Sequence, residues 1–251
     1  MDKRGIMEQI TIVTGGSRGI GAAIARLCGA NDHKVCVVYR GGADAAQDVV
    51  DAITQDGGTA IAVQADTAIE ADVMRLFETV DRDLGRLTGL VNNAGVHGPR
   101  GRLEALTGAE IDDVLRINVM GYFLCAREAV KRMSTGHGGA GGSIVNISSG
   151  SATSGSPHEG ILYGASKGAV NSLTMGLAQE VGGEGIRVNA VSPGITVPGM
   201  PPPEKVERAV RAVPMGRAGQ AEEIAEAVLW LLSDKASYTS AANIRVGGGR
   251  P

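Results

Sequence analysis

Short runs of β-branched and aliphatic residues alternate along the chain with longer stretches whose apolar positions recur every three or four residues. The short runs are residues 10–14, 34–39, 59–64, 89–92, 143–147, 187–191 and 243–246. They are rich in Val and Ile, and several are apolar throughout, which suits strands of a parallel sheet covered on both faces. The longer stretches predict helices. Residues 70–84 carry Val73, Phe77, Val80 and Leu84 at helical spacing, and residues 221–232 carry a stripe of Ile224, Ala227, Val228 and Leu231. Another helix follows Thr107, which with Glu110 makes a T-x-x-E capping box, and a further one spans 163–181.

Regular alternation of strand and helix predicts an α/β fold: a doubly wound parallel sheet of seven strands with helices on both faces. With no internal repeat and no linker, residues 1–251 read as a single domain. Two segments are loop-like by composition: the glycine-rich turn at 136–142, and a proline-rich insert at 198–203 before a short helix.

Composition narrows the class. Of 251 residues, 43% are hydrophobic and 20% charged, as in a globular protein, while aromatics at 3% imply an aliphatic core. The net charge of −3 and the absence of Lys/Arg runs argue against nucleic acid as a partner. No apolar stretch is long enough for a membrane span, and the polar start does not read as a signal peptide. Three cysteines, Cys28, Cys36 and Cys125, form no C-x-x-C pair, and buried free thiols in a reducing, cytoplasmic setting are expected. The histidines (His33, His97, His137, His158) fall in loop-like segments and show no metal spacing, so no metal site is expected.

The first strand runs into Thr14-Gly15-Gly16-Ser17-Arg18-Gly19-Ile20-Gly21, with a helix from about Ala22. Glycines there let a ligand approach the backbone, and the helix start behind them offers unpaired N–H groups and a positive dipole end, a site for pyrophosphate. The same run satisfies G-x-S-x-G, the nucleophile elbow of serine hydrolases, with Ser17 as the nucleophile. That reading needs a later acid and His, and the elbow stands unusually early in the chain. At the end of the second strand no Asp or Glu occupies 33–43, where an NAD site would place an acid for the ribose hydroxyl; Arg40 is there instead, and Arg18 lies in the glycine turn. Two guanidinium groups suit a 2′-phosphate, so NADP(H) is expected over NAD(H).

In combination these motifs resemble the short-chain dehydrogenase/reductase family, over nearly the whole length from Thr14 to Gly249. The turn resembles the family's T-G-x-x-x-G-x-G. Asn92-Asn93-Ala94-Gly95 resembles N-N-A-G, Tyr163-Gly164-Ala165-Ser166-Lys167 resembles Y-x-x-x-K, and Pro193-Gly194 resembles the P-G after the sixth strand. The resemblance implies a Rossmann fold. It also implies a cofactor site of Gly15, Ser17, Arg18, Gly19, Ile20, Gly21, Arg40, Asp66, Thr67, Asn92, Ala94, Gly95, Tyr163, Lys167, Pro193, Gly194 and Ile195, with Asp66 on the adenine. It implies a catalytic set of Ser149, Tyr163, Lys167 and Asn118: Ser149 holding the substrate oxygen, Asn118 holding a water that links Lys167 to solvent. Ser149 stands one position further from Tyr163 than is usual, and Ser148 and Ser151 remain alternatives. Thr196 comes earlier than the family's carboxamide-contacting Thr, whose place Pro198 takes. Assembly as a homotetramer or homodimer through the Tyr163 helix, the 222–232 helix and the last strand is implied as well.

The chemistry also follows from spacing. Tyr163 and Lys167 are one helical turn apart and share a face. An ammonium within about 4 Å is worth about 4 kcal/mol at an effective dielectric near 20. It would lower the phenol from its ordinary value near 10 by up to about 3 pH units. A phenol poised there donates a proton to a carbonyl or takes one from an alcohol. The expected activity is therefore NADP(H)-dependent interconversion of a small-molecule carbonyl and a secondary alcohol. An NAD(H)-dependent sugar or alcohol dehydrogenase and a catalytically silent nucleotide-binding protein are the alternatives. Lys131 and Arg132 are candidates for meeting an acidic acyl-carrier partner; Glu184 argues mildly against one.

Overall fold

The computed structural model describes residues 8–198, 206–207 and 210–250. Seven strands form one sheet: β1 (Gln9–Thr14), β2 (His33–Tyr39), β3 (Thr59–Gln64), β4 (Gly89–Asn92), β5 (Gly142–Ile147), β6 (Ile186–Pro193) and, last in the chain, β9 (Asn243–Val246). All pairings are parallel, and the order is β3-β2-β1-β4-β5-β6-β9. The Rossmann topology expected from the alternation is the one observed. Between them, β7 (Thr196–Val197) and β8 (Gly219–Gln220) form a separate two-stranded pair.

Successive side chains of the inner strands feed two cores on opposite faces of the sheet. Val13, Val37, Val91 and Val145 pack on one face with α1 (Gly19–Gly29), α2 (Ala43–Gln55) and α8 (Ala221–Leu232). Ile12, Cys36, Leu90 and Ile144 pack on the other with α3 (Glu70–Asp83), α5 (Gly121–Met133) and α7 (Ile161–Val181), the last preceded by the one-turn α6 (Ser151–Ser154). Burial on both faces is why these strands read as unbroken apolar runs. In α4 (Gly108–Leu115) the capping box forms as expected: Glu110 N–H donates to Thr107 Oγ1 (3.3 Å), and Thr107 N–H to the Glu110 carboxylate (2.8 Å).

Some elements differ from expectation. Helix α1 starts at Gly19, inside the glycine turn, because Gly16 N–H bonds to Val38 O and the turn is completed within three residues. Helix α2 was not predicted, although Ala46, Val49, Val50 and Ile53 bury one face of it. His33 lies on β2 rather than in a loop, buried, with Nδ1 2.8 Å from Thr11 Oγ1. The proline-rich insert begins at Pro198; its remainder lies outside the described residues.

The three cysteines are free and buried, and burial pushes the Cys28 and Cys125 thiols up to about 12 and Cys36 higher still. None is a nucleophile in this setting. Among the described residues, no helix is long and apolar enough to cross a membrane, and no cluster of His, Cys, Asp and Glu could hold a metal.

Burial holds the His33 imidazole below its ordinary value, against a smaller opposing pull from Asp32. The unfolded chain therefore binds a proton that the folded chain resists, and stability falls as pH drops through the window below about 6.5. Urea denaturation between pH 7 and 5 should give a shallower pH dependence for His33→Gln than for the wild type.

Candidate active site

The direction of winding reverses between β1 and β4, so the loops leaving their carboxyl ends diverge and open a crevice. Two side chains join those loops at its floor. Thr14 Oγ1 accepts from the N–H groups of Asn93 (2.9 Å) and Ala94 (3.0 Å) and donates to Val91 O. The Asn93 amide donates to Thr14 O (2.9 Å) and Gly15 O (3.1 Å). The glycine turn is thereby pressed against the loop after β4. A Cβ on Gly15, which has φ +62°, would lie 3.0 Å from Ala94 Cα, and one on Gly21 would lie 2.2 Å from Gly15 O. These glycines leave the start of α1 open to a ligand with no side chain in the way.

The crevice continues as a cavity of about 160 Å³ whose walls include Gly15, Arg40, Asp66, Thr67, Ala94 and Gly95. Arg40 Nη1 stands 3.9 Å from Asp66 Oδ2. Arg18, at the start of α1, reaches across to the turn after β2: a Cβ on Gly42 would lie 2.4 Å from Arg18 Nη2. Arg40 follows the last residue of β2 and the Arg18 guanidinium lies against Gly42, so both are placed near the end of that strand. Ser17 and Gly19 belong to the turn itself and Ile20 packs against the core beneath it. Among the described residues no metal-ligand set competes here, and the turn lacks the lysine of a P-loop. The residues fit an elongated anionic dinucleotide, with its pyrophosphate at the start of α1.

At the far end of the crevice three elements converge. Between α4 and α5 lies a π-helical turn, Arg116–Met120, which carries Asn118. Asn118 is fully buried; its amide exchanges hydrogen bonds with both main-chain groups of Val96 (2.8 Å each) and donates to Ser166 Oγ (3.0 Å). Its side chain thus clamps the loop after β4 to α7, and both amide hydrogens are used in doing so. Lys167, 2% exposed, donates to Ile147 O (2.8 Å) and to Tyr122 Oη (3.0 Å); Tyr122 in turn donates to Ile147 O. Ser149, two residues past the end of β5, lies beside the Tyr163 phenol, near enough to favour its ionised form. Ser148 is buried and bonded to Asn171 and Lys167 O, and Ser151 Oγ accepts from Ser156. Of the three serines, Ser149 is the one beside the phenol.

The electrostatics differ from expectation. Burial raises the Tyr163 phenol, and the nearby Ser149 hydroxyl only partly offsets this. Burial also brings Lys167 down to about 7, and its amine sits 5.9 Å from the centre of the Tyr163 ring rather than against the hydroxyl. The predicted pull of a full ammonium on the phenol is outweighed by desolvation, because Lys167 is buried, Tyr163 is partly so, and no carboxylate pairs with Lys167 among the described residues.

Other expected residues fall in different places. The Asn92 side chain is turned into the sheet, donating to Asn146 Oδ1 (3.0 Å) and Tyr122 O, so it supports the crevice from behind. Pro193 ends β6; Gly194 packs so close to Gly247 that a Cβ would lie 2.6 Å from its Cα; Ile195 faces a neighbouring cavity. Thr196 is buried in β7 and bonds back to Gly194 O, while Pro198 O approaches Gly19. Lys131 and Arg132 end α5, which leads into the amino end of β5, so they lie at the sheet edge opposite the crevice. There both pair with buried Glu128, and Glu184, near the start of β6, accepts from Ser134. None of the three lines the cleft. Among the described residues no His or acid is bonded to Ser17, so no triad forms there around the hydrolase elbow. Sequence reasoning passed over Asn93, Tyr122 and His97. Asn93 stood inside the quoted N-N-A-G, and Tyr122 lies one helical turn past Asn118.

Comparison with known proteins agrees with this arrangement. Residues 15–250 match the family model described as enoyl-(acyl carrier protein) reductase. The chain is 49% identical to the uncharacterized oxidoreductase YgfF of Escherichia coli K12, covering 96% of this chain and 99% of that protein. It is 37% identical to the 3-oxoacyl-[acyl-carrier-protein] reductase FabG of Staphylococcus aureus, covering 97% and 98%. A solved mutant of a Serratia marcescens short-chain dehydrogenase/reductase superposes with a TM-score of 0.90 at 34% identity, covering 96% of this chain and 97% of that one.

The buried Lys167 has a measurable cost. The unfolded chain holds its proton up to the ordinary lysine range, whereas the folded chain releases it near 7, so stability rises with pH between those limits. Lys167→Met should raise stability below pH 7 by at most about 5 kcal/mol, and the gain should vanish above about pH 10.5. Thermal melts across that range check both sign and window.

Proposed function

The chain belongs to the short-chain dehydrogenase/reductase family, and from that premise we propose that it is an NADP(H)-dependent oxidoreductase that interconverts a carbonyl and a secondary alcohol, with Tyr163 as the acid/base. The observation that carries this is the meeting of Ser149 and Tyr163 over Lys167 at the carboxyl ends of β5 and β6, beside the glycine-floored crevice. In this reading Gly15, Ser17, Gly19, Ile20 and Gly21 bind the pyrophosphate, while Asp66, Thr67, Ala94 and Gly95 line the adenosine and ribose path. Pro193, Gly194 and Ile195 flank the nicotinamide. The bound nicotinamide supplies or accepts the hydride.

The chain's own groups move the proton. Ser149 Oγ fixes the substrate oxygen beside the phenol, and Tyr163 Oη gives or takes the proton. The Lys167 amine, poised near neutrality by burial, exchanges that proton onward and binds the nicotinamide ribose. A relay water at Asn118 would be held by carbonyl oxygen, since its amide hydrogens are committed. Support for NADP(H) comes from Arg18 and Arg40 at the end of β2, where no acid stands. The substrate is a small-molecule carbonyl or alcohol; with Lys131 and Arg132 at the far edge, no basic patch identified from the sequence speaks for an acyl-carrier protein. The same reading makes the protein a cytoplasmic homotetramer or homodimer, supported by exposed Met175 on α7 and Trp230 on α8.

A panel of carbonyls and alcohols assayed with NADPH and NADH in parallel tests the proposal. Tyr163→Phe should lower kcat by about 10²–10⁴. Arg40→Ala should raise KM for NADPH by at least about tenfold, as expected for a lost charge-assisted contact, and leave NADH little changed. Turnover that favours NADH in the wild type would favour the NAD(H)-dependent dehydrogenase. Absence of turnover across the panel with nucleotide still bound would favour the silent nucleotide-binding protein.

A further inference from the structure

Directly above the reacting phenol lies a ring that no motif accounts for. The His97 imidazole stacks on Tyr163 with centroids 4.9 Å apart and planes 15° from parallel. Its place is prepared from three sides. Val96, its neighbour, is held through both main-chain groups by Asn118. Gly160, just before α7, leaves room for the ring: a Cβ there would lie 2.7 Å from His97 Cε1 and 2.9 Å from Nε2. An Arg100–Glu159 ion pair (3.4 Å) joins the same two loops further out.

We propose that His97 is a positioning residue for Tyr163: its ring holds the phenol against Ser149, and its protonation strengthens the phenol as a proton donor to the substrate carbonyl. This rests on the acid/base reading of Tyr163. The physical basis is a titratable ring, half-buried and in face contact with a phenol that is itself only partly exposed. An imidazolium there favours the phenolate that proton donation leaves behind. Among the described residues, charged or titratable groups near the pair include Lys167 and Tyr122 on the inner side, the Arg100–Glu159 pair on the outer side, and exposed His158 in the same loop as Glu159.

The test is carbonyl reduction at saturating NADPH, followed from pH 8 to pH 5.5 in the wild type, His97→Phe, His97→Ala and Gly160→Ala, with Tyr163→Phe as the control for the acid/base role. His97→Ala should lose about tenfold in kcat, about one pH unit of acid strength or its equivalent in misplacement. His97→Phe should recover most of that loss at pH 8 but lack the part of the low-pH rise in kcat that protonation of the imidazole contributes. Gly160→Ala, which displaces the ring without removing it, should fall toward His97→Ala. An unchanged kcat in His97→Ala, or a wild-type pH profile in His97→Phe, would overturn the proposal. Full activity in Tyr163→Phe would instead overturn the acid/base reading beneath it. Thermal melts of all four variants separate loss of fold from loss of function.

Discussion

A lysine amine that is 2% exposed, with no carboxylate against it among the described residues, is an unfavourable group to bury, and the active end of the fold is organised around it. Lys167 is kept there by two oxygens, Ile147 O at the tip of β5 and Tyr122 Oη on α5, with the Tyr122 hydroxyl itself bonded to Ile147 O. That triangle fixes where α7 sits relative to the end of β5. Since Tyr163 is one turn before Lys167 on α7, and Ser149 is two residues after Ile147, the same triangle brings phenol and serine together. Amine, phenol and serine are therefore one constraint seen at three residues. The price is desolvation, which sets the protonation of both Lys167 and Tyr163 more strongly than their mutual attraction does.

Much of the fold was legible because each inner strand is apolar on both faces and each main helix carries one apolar stripe. Strand positions such as Val13 and Ile12 go to opposite cores, so the pattern of continuous burial was informative in itself. Helix α2 was legible too, through Ala46, Val49, Val50 and Ile53, but its stripe is interrupted by polar residues and was passed over. The π-helical turn at Arg116–Met120 was not legible. Its extra residue has no period that a 3.6-residue helix pattern reveals, and only the contacts of Asn118 with Val96 and Ser166 explain its register.

The site was legible where spacing along one element decides geometry, as for Tyr163 and Lys167 on one helix face. It was not legible where burial or the opposite end of an element decides. Lys131 and Arg132 carry the right charge for an acidic partner, yet α5 runs away from the crevice and delivers them to the amino end of β5, where Glu128 takes them up. Asn92 and Asn93 are adjacent and identical, and the pleat alone assigns them different work. One braces β4 against β5 through Asn146; the other ties the loop after β4 to the glycine turn. His97 had no motif to announce it, and its stacking on Tyr163 is visible only in the folded chain.

Cofactor preference turns on a balance of weak and strong contacts at the end of β2. Arg40 has a partner already, but at 3.9 Å from Asp66, with the Arg40 side chain 60% exposed, that pair is worth at most about 1 kcal/mol. A 2′-phosphate, carrying about two charges and three acceptor oxygens, would compete with it readily. Arg18 depends on a different feature. Its guanidinium lies over Gly42, at φ +81°, in space that any side chain at 42 would fill. On the proposed reading, the missing acid at the end of β2 is therefore only half of the NADP(H) preference. The other half is a glycine, which lets an arginine from the pyrophosphate turn reach the ribose, so that two guanidinium groups from two loops can close on one phosphate.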